Sequence, residues 1–157
     1  MKIIRYKEND AKEIVSLFYD TIHSVNLRDY SQRAVDAWAL KDEKESKIKS
    51  WKDHLNQNIT YVAKIDEEVV GFGDITYSGY LDRLFVHKNY QRQGIATAIV
   101  ELLESEAMRL NLVAVHTEAS ITAKPFFEQR GYNVMCEQTV ERKGVNLINY
   151  KMIKRIK

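Results

Sequence analysis

The sequence predicts a mixed α/β (α+β) fold: a sheet antiparallel at its edges, with helices on both faces. Three observations carry this. Period-two alternation marks Lys2–Tyr6, most of the stretch from Thr60 to His87, and two runs after Gly131. A 3.6-period apolar run follows Gly94 and is entered from a strand through a short polar turn. Helical patterns alternate with strand patterns along the second half, giving the order strand, helices, three strands, helix, strand, helix, two strands.

Lys2–Tyr6 begins a first strand. Asn9-Asp10 supplies a helix start, with Asp10 and Glu13 spaced as in a capping box, and Ile14, Leu17, Phe18 and Ile22 carry that helix to about His23. His23–Tyr30 breaks the period and reads as a loop. Ser31 caps a short helix through Ala34, Val35 and Trp38. After a charged link, Lys41–Lys47, a further helix places Ile48, Trp51 and Leu55 on one face. Residues 61–65 and 69–76, joined at Asp66-Glu67-Glu68, form a hairpin, and Ser78-Gly79 turns into the central strand. The central helix sets Ile95, Ala98, Ile99, Leu102, Leu103 and Leu110 against Glu101, Glu104 and Arg109 on its solvated side. Leu112–His116 suits a buried strand. A second turn, Glu118-Ala119-Ser120, opens a helix that ends at Arg130, with Gly131 at its C′ position and Pro125 tolerable only in its first turn. Residues 132–142 and 145–153, joined at Lys143-Gly144, make a last long hairpin.

The 157 residues suit one domain, 1–157, with one core. A net charge of +2 is close to neutral and gives no electrostatic footprint for nucleic acid or an acidic membrane surface. The C-terminal cations Lys151, Lys154, Arg155 and Lys157 read as a solvated strand end. Cys136 is alone, so neither a disulfide framework nor a cysteine metal pair is expected. His23, His54, His87 and His116 are dispersed without metal-ligand spacing, and no metal is expected. The start turns polar too soon for a signal peptide, and no run is long enough to span a bilayer, so a cytoplasmic location is expected.

The stretch that organises the rest is Tyr80–Met108. A strand feeding a helix through the turn Lys88–Gly94 presents unpaired N–H groups and the positive end of a helix dipole, a place for a phosphate-bearing ligand. Gln91-x-x-Gly94-x-Ala96 there resembles the acetyl-CoA signature of the GCN5-related N-acetyltransferases. Val86 five residues before Gln91, the strand–helix–strand–helix order, and Ala123-x-x-x-Phe127-Glu128-x-x-Gly131-Tyr132 agree with that family across essentially the whole chain. The wording around Tyr80–Ala96 and Thr117–Tyr132 looks most like a bacterial subgroup, the YafP-like acetyltransferases.

The resemblance implies a six- to seven-stranded sheet whose central strands splay apart, acetyl-CoA as co-substrate, and transfer of acetyl to a primary amine of a small molecule by direct attack. It implies that amides from about Arg92 through Gln93, Gly94, Ile95 and Ala96 to Thr97 cradle the pyrophosphate. Gly94 leaves room for the phosphates, and Arg92 adds a charged contact. Leu84, Phe85 and Val86 would pair with the pantetheine arm, and the N–H of Phe85 or Val86 would polarise the acetyl carbonyl. Gln91 and Phe127 complete the coenzyme set. The tyrosine that commonly serves as acid falls on Phe127, and the glutamate near the start of the central strand falls on Tyr80. Asp82 is therefore the candidate base, sharing a strand face with Tyr80, against the alternative of an Asp paired with Arg83 or Arg5. Ser120, Tyr80, Tyr132 or a water is the candidate acid, and His116 a candidate relay. His23, Asp29, Tyr30 and Glu118 are candidates to hold the acceptor, and one of Trp38 and Trp51 to wall its pocket. Two other readings stay open: a CoA-binding sensor or regulatory module without turnover, motivated by Phe127, and a peptide or protein N-acetyltransferase. The final hairpin could also pair across a homodimer.

Overall fold

The computed structural model describes residues 1–157. The elements are β1 (Lys2–Arg5), α1 (Ala11–Ser24), α2 (Gln32–Trp38), α3 (Lys44–Gln57), β2 (Ile59–Ile65), β3 (Glu68–Ile75), β4 (Tyr80–Val86), α4 (Ile95–Arg109), β5 (Ala114–Ser120), α5 (Lys124–Gln129), β6 (Asn133–Arg142) and β7 (Val145–Arg155). Seven strands form one sheet in the order β1-β2-β3-β4-β5-β7-β6. Every neighbouring pair is antiparallel except β4 and β5.

Two apolar layers hold helices to the two faces. Ile14, Phe18 and Ile22 of α1 and Trp51 and Leu55 of α3 pack on Val62, Val69 and Phe72 of β2 and β3. On the opposite face Ile95, Ile99, Val100 and Leu103 of α4 meet Ala63, Val70, Leu81 and Val115. Each such Ile, Leu or Val contributes about 1.5–3 kcal/mol when fully buried. The close seat of α4 depends on Gly73, where an added Cβ would lie 2.8 Å from Ile99 Cγ2.

The parallel pair β4/β5 makes the site. It is in register only at Tyr80↔His116 and Leu81↔Thr117, while β5 continues beside β7 as far as Ser120↔Asn149. Beyond Leu81 and Thr117 the two strands separate. The divergence begins at a β-bulge: β3 pairs Ile75 with Leu81 but Asp74 with Arg83, leaving Asp82 as the extra residue. A bulge sharpens the local twist of its strand, which turns the rest of β4 away from β5.

Several local expectations are corrected. No Asp10–Glu13 capping box forms: Asp10 accepts from Lys7 N–H and pairs with Lys64 at 2.9 Å, and Glu13 accepts from Val69 N–H instead. The proposed loop His23–Tyr30 is largely helical, because α1 runs through Ser24 and a 3₁₀ turn covers Asn26–Arg28. The charged link ends early, with α3 starting at Lys44. Glu118–Ser120 belongs to β5, and the turn follows it. Glu104 is buried, since Tyr132 Oη and Lys154 Nζ donate to it at 2.8 and 3.1 Å and replace its water. Leu110 lies past the end of α4 and is exposed. Ser31 caps α2 as expected, accepting from Ala34 N–H. Pro125 stands in the first turn of α5, where its missing N–H costs nothing.

Candidate active site

The turn after β4 is tied from within. Gln91 Nε2 donates to the carbonyls of Val86 at 2.5 Å and His87 at 3.4 Å, so this side chain anchors the loop. Arg92 and Gly94 take left-handed backbone angles, with φ of 59° and 83°. A Cβ built on Gly94 meets no protein atom within 4 Å, so the space beside it is free for a ligand. None of the turn, loop or cap hydrogen bonds uses the N–H groups of residues 92–97. The first bond into the helix runs from Ala98 N–H to Gly94 O at 3.0 Å. A row of unspent amides and the positive end of a 15-residue helix therefore converge on one open point. That arrangement fits a pyrophosphate. Gln93 is exposed and its side chain does not line the cleft, which limits its part to the backbone.

The free edge of β4 leads away from this point. His87 N–H donates to Val70 O at 2.8 Å, and the Phe72↔Phe85 pair shares that parity, so Phe85's amide points toward β3. The amides of Leu84 and Val86 point the other way, into the gap. Of the two oxyanion donors expected, Phe85 is excluded because its N–H belongs to the ladder, while the N–H of Val86 faces the gap directly before the phosphate turn.

Gap and turn open into one cleft of about 1310 Å³, bounded by β4, β5, α5, the helices α1–α3 and the β6–β7 hairpin. Tyr80, Asp82, Glu118, Ser120 and Phe127 all line it. Tyr80 stands where β4 and β5 last pair, its ring 5.3 Å from that of His116. Burial, reinforced by the carboxylates of Glu118 and Asp82, pushes its phenol up to about 12. It stays protonated at neutral pH. Asp82 and Glu118 flank the opening of the gap on its two sides. Ser120 Oγ accepts from Ala123 N–H at 3.0 Å and keeps its own proton available. Phe127 is almost fully buried, its ring 5.0 Å from Tyr132, and forms part of the cleft wall.

Other candidates do not reach the site. His23 Nε2 donates to Ala39 O at 2.8 Å and holds α1 to the end of α2, away from the cleft. Asp29 is exposed outside it. Tyr132, whose phenol burial raises, donates to Glu104 on the far side of α4 and cannot serve as the acid. His116 is exposed and outside the cleft. Tyr30 lines the cleft, but its hydroxyl is spent: it donates to Ile148 O at 2.6 Å and accepts from Ile121 N–H at 2.9 Å. It is a wall, set edge-on to Trp38, rather than a holder of cations. Both tryptophans line the cleft.

Two groups were not singled out from the sequence, Asp74 and Lys47. Arg83 Nη1 contacts buried Asp74 at 2.5 Å and Asp82 at 3.2 Å, and its guanidinium lies 4.5 Å over the Trp51 ring. The pairing of Asp82 is thus with Arg83, while Arg5 goes to Glu106. A single carboxylate inside the otherwise apolar run Val69–Ile75 was the available signal, since a buried charge demands a partner. Lys47, half-buried above Phe18 and Trp51, is the other. No group of three or more His, Cys, Asp or Glu side chains is placed to hold a metal ion.

A family described as "Acetyltransferase (GNAT) domain" matches residues 26–154. The chain belongs to the GNAT acetyltransferase family. It is 33% identical over 153 residues to the uncharacterized N-acetyltransferase YafP of Escherichia coli K12, covering 97% of this acetyltransferase and 94% of that protein. A GCN5-related N-acetyltransferase from Rhodopseudomonas palustris, also described as "Aminotransferase, Class-II", superimposes with a TM-score of 0.91 at 28% identity, over 99% and 95% of the two chains. The fold alone is shared with the yncA acetyltransferase of Salmonella typhimurium, solved with its cofactor acetyl-CoA: TM-score 0.73, 14% identity, 100% and 94% covered. No helix of this acetyltransferase is long and apolar enough to cross a membrane.

Proposed function

We propose that this acetyltransferase moves the acetyl group of acetyl-CoA to a primary amine of a small molecule. The observation that carries the reading is a strand gap and a row of unspent helix amides opening into one continuous cleft. The Salmonella relative that shares the fold was solved with acetyl-CoA. Bound there, acetyl-CoA supplies an activated acyl group. The amides of residues 92–97 and Arg92 hold the phosphates, and the gap-facing N–H of Val86 donates to the pantetheine arm. An arm leaving the phosphates meets Val86 first, so the N–H of Leu84, nearer Tyr80, aims at the charge that grows on the carbonyl oxygen. The Asp82 and Glu118 carboxylates draw in the acceptor ammonium and take up its proton, directly or through water. The amine lone pair then forms the C–N bond as the C–S bond breaks; Tyr80 Oη gives its proton to the departing thiolate and is refilled by the proton that the acylated nitrogen loses, directly or through water.

The groove between the helices and the last hairpin is crossed at two points. Tyr30 ties the α1–α2 turn to Ile148 of β7, and Lys143 at the hairpin turn reaches Glu43 at 2.8 Å. Those crossings favour a small acceptor over a peptide. Calorimetric titration with CoA and acetyl-CoA, followed by thiol release over polyamines, amino acids, aminoglycosides and peptides, tests the reading. Absence of CoA binding would remove it.

Two variants probe the chemistry. Tyr80→Phe is expected to lower kcat on the order of 100-fold, the usual worth of a positioned proton donor. Because the phenol's pKa is raised to about 12, the wild-type kcat should show no descending limb from this group through mildly alkaline pH. Asp82→Asn is expected to lower kcat on the order of 10-fold while CoA affinity moves little, since Glu118 remains beside the gap. A wild-type rate for either variant would take that residue out of the mechanism.

A further inference from the structure

Two oppositely charged side chains line the acceptor part of the cleft and take part in no ion pair. Lys47 is half-buried on α3, its ammonium 5.4 Å above the Phe18 ring and 5.5 Å above Trp51. It takes part in none of the ion pairs of the chain. The nearby carboxylate of Glu43 is held by Lys143 at 2.8 Å, and Arg83 is held by Asp74 and Asp82. Burial depresses the pKa of Lys47, with the Glu43 carboxylate pulling it back and the cations of Arg83, Arg142 and Lys143 adding to the depression, so the fold keeps this ammonium at a cost. On the opposite wall Glu118 of β5 stands beside Tyr80, and it too takes part in no ion pair.

We propose that the acceptor is a dipolar small molecule, a primary amine carrying a carboxylate or phosphate, with its amine at Glu118 and its anion on Lys47. The inference rests on the acetyl-transfer reading above and deepens it by naming the acceptor class. The charges explain each other in these terms. The amine end must lie at the strand gap, where the thioester is attacked, and Glu118 and Asp82 sit there. The ammonium lies against the aromatic rings of α1 and α3, and its compensation in the protein is their π faces and the Glu43 carboxylate, which Lys143 already holds. An incoming anion completes it. A cationic polyamine or aminoglycoside would instead bring charge against Lys47 and Arg83.

The test is thiol release from acetyl-CoA with matched acceptors: amino acids against their carboxamides, and phosphoethanolamine against ethanolamine. The free-acid or phosphate member of a pair should show kcat/KM about 10- to 100-fold higher, the worth of one charge-assisted contact. The carboxylate and phosphate series together say which anion is used. In Lys47→Met the ratio within the preferred pair should collapse toward one, and Lys47→Arg should restore it. The ratio is internal to each variant, so a general loss of fold or rate does not imitate the effect. If neutral or cationic amines are the better acceptors, or Lys47→Met keeps the ratio, the inference is overturned while acetyl transfer stands. If acetyl-CoA binds and no amine of either class releases thiol, the acetyl-transfer reading falls and takes the inference with it.

Discussion

Gly94→Glu is expected to weaken coenzyme A binding by at least about 100-fold, with the fold intact. Gly94 stands at φ 83°, immediately before α4, and a Cβ there meets no protein atom within 4 Å. The new side chain therefore has room, and the protein opposes it only through the strain of holding a residue with a Cβ at this left-handed φ. What it meets is the place where six free amides converge. A carboxylate about 4 Å from a phosphate repels it by roughly 4 kcal/mol at an effective dielectric constant near 20. It also offers its own oxygens to the amides the phosphates need. Gly94→Ala separates this conflict from backbone strain. Holding alanine in the left-handed region costs about 1–2 kcal/mol of stability and adds no charge. Alanine should lower the melting temperature by a few degrees and affinity only modestly, whereas glutamate should remove affinity. Calorimetric titration beside thermal unfolding reads both, and a glutamate variant that binds like wild type would place the phosphates elsewhere.

Much of this corner was legible in the sequence because it rests on backbone. A strand, a glycine and a helix in immediate succession determine where amides are left over, whatever the surrounding side chains do. The same holds for the hairpin around Lys143-Gly144, where both residues take positive φ. Residues whose meaning depends on distant partners were not legible. His23 looked free in sequence and is bound to Ala39, sixteen residues on. Tyr30 looked like a polar handle, and its hydroxyl is consumed by Ile121 and Ile148. Glu104 fell on the solvated side of a helical wheel, which cannot show Lys154 and Tyr132 arriving from the other end of the chain. Phe85 lost its expected role through strand parity, which a one-residue bulge at Asp82 had already shifted.

Arg83→Met should destabilise the protein by about 3–5 kcal/mol, the cost of breaking a buried pair by removing one partner. Asp74 is fully buried, and its contacts are Arg83 Nη1 and Asn58 Nδ2, the latter at 2.9 Å. Its second carboxylate oxygen has no partner at all. Burial pushes the Asp74 carboxyl up, and Arg83 and Asn58 pull against it. Removing the guanidinium removes the main restraint, so the carboxyl rises further. The sign follows from linkage. A carboxyl whose folded-state pKa is raised contributes stability that is present at low pH and lost as pH rises through that pKa. The deficit of Arg83→Met relative to wild type should therefore be smaller near about pH 5 than near about pH 8. Methionine fills part of the space over Trp51 but cannot replace the cation, so the 4.5 Å stacking is lost as well. Adding Asp74→Asn should recover a substantial part of the loss, because it removes the orphaned charge and leaves the Asn58 contact available. A shift on the order of 10 °C in the melting temperature of the single variant, and partial recovery in the double, are the expected readings. Equal losses at both pH values, with no recovery in the double variant, would mean that Arg83 contributes by packing on Trp51 and not by neutralising Asp74.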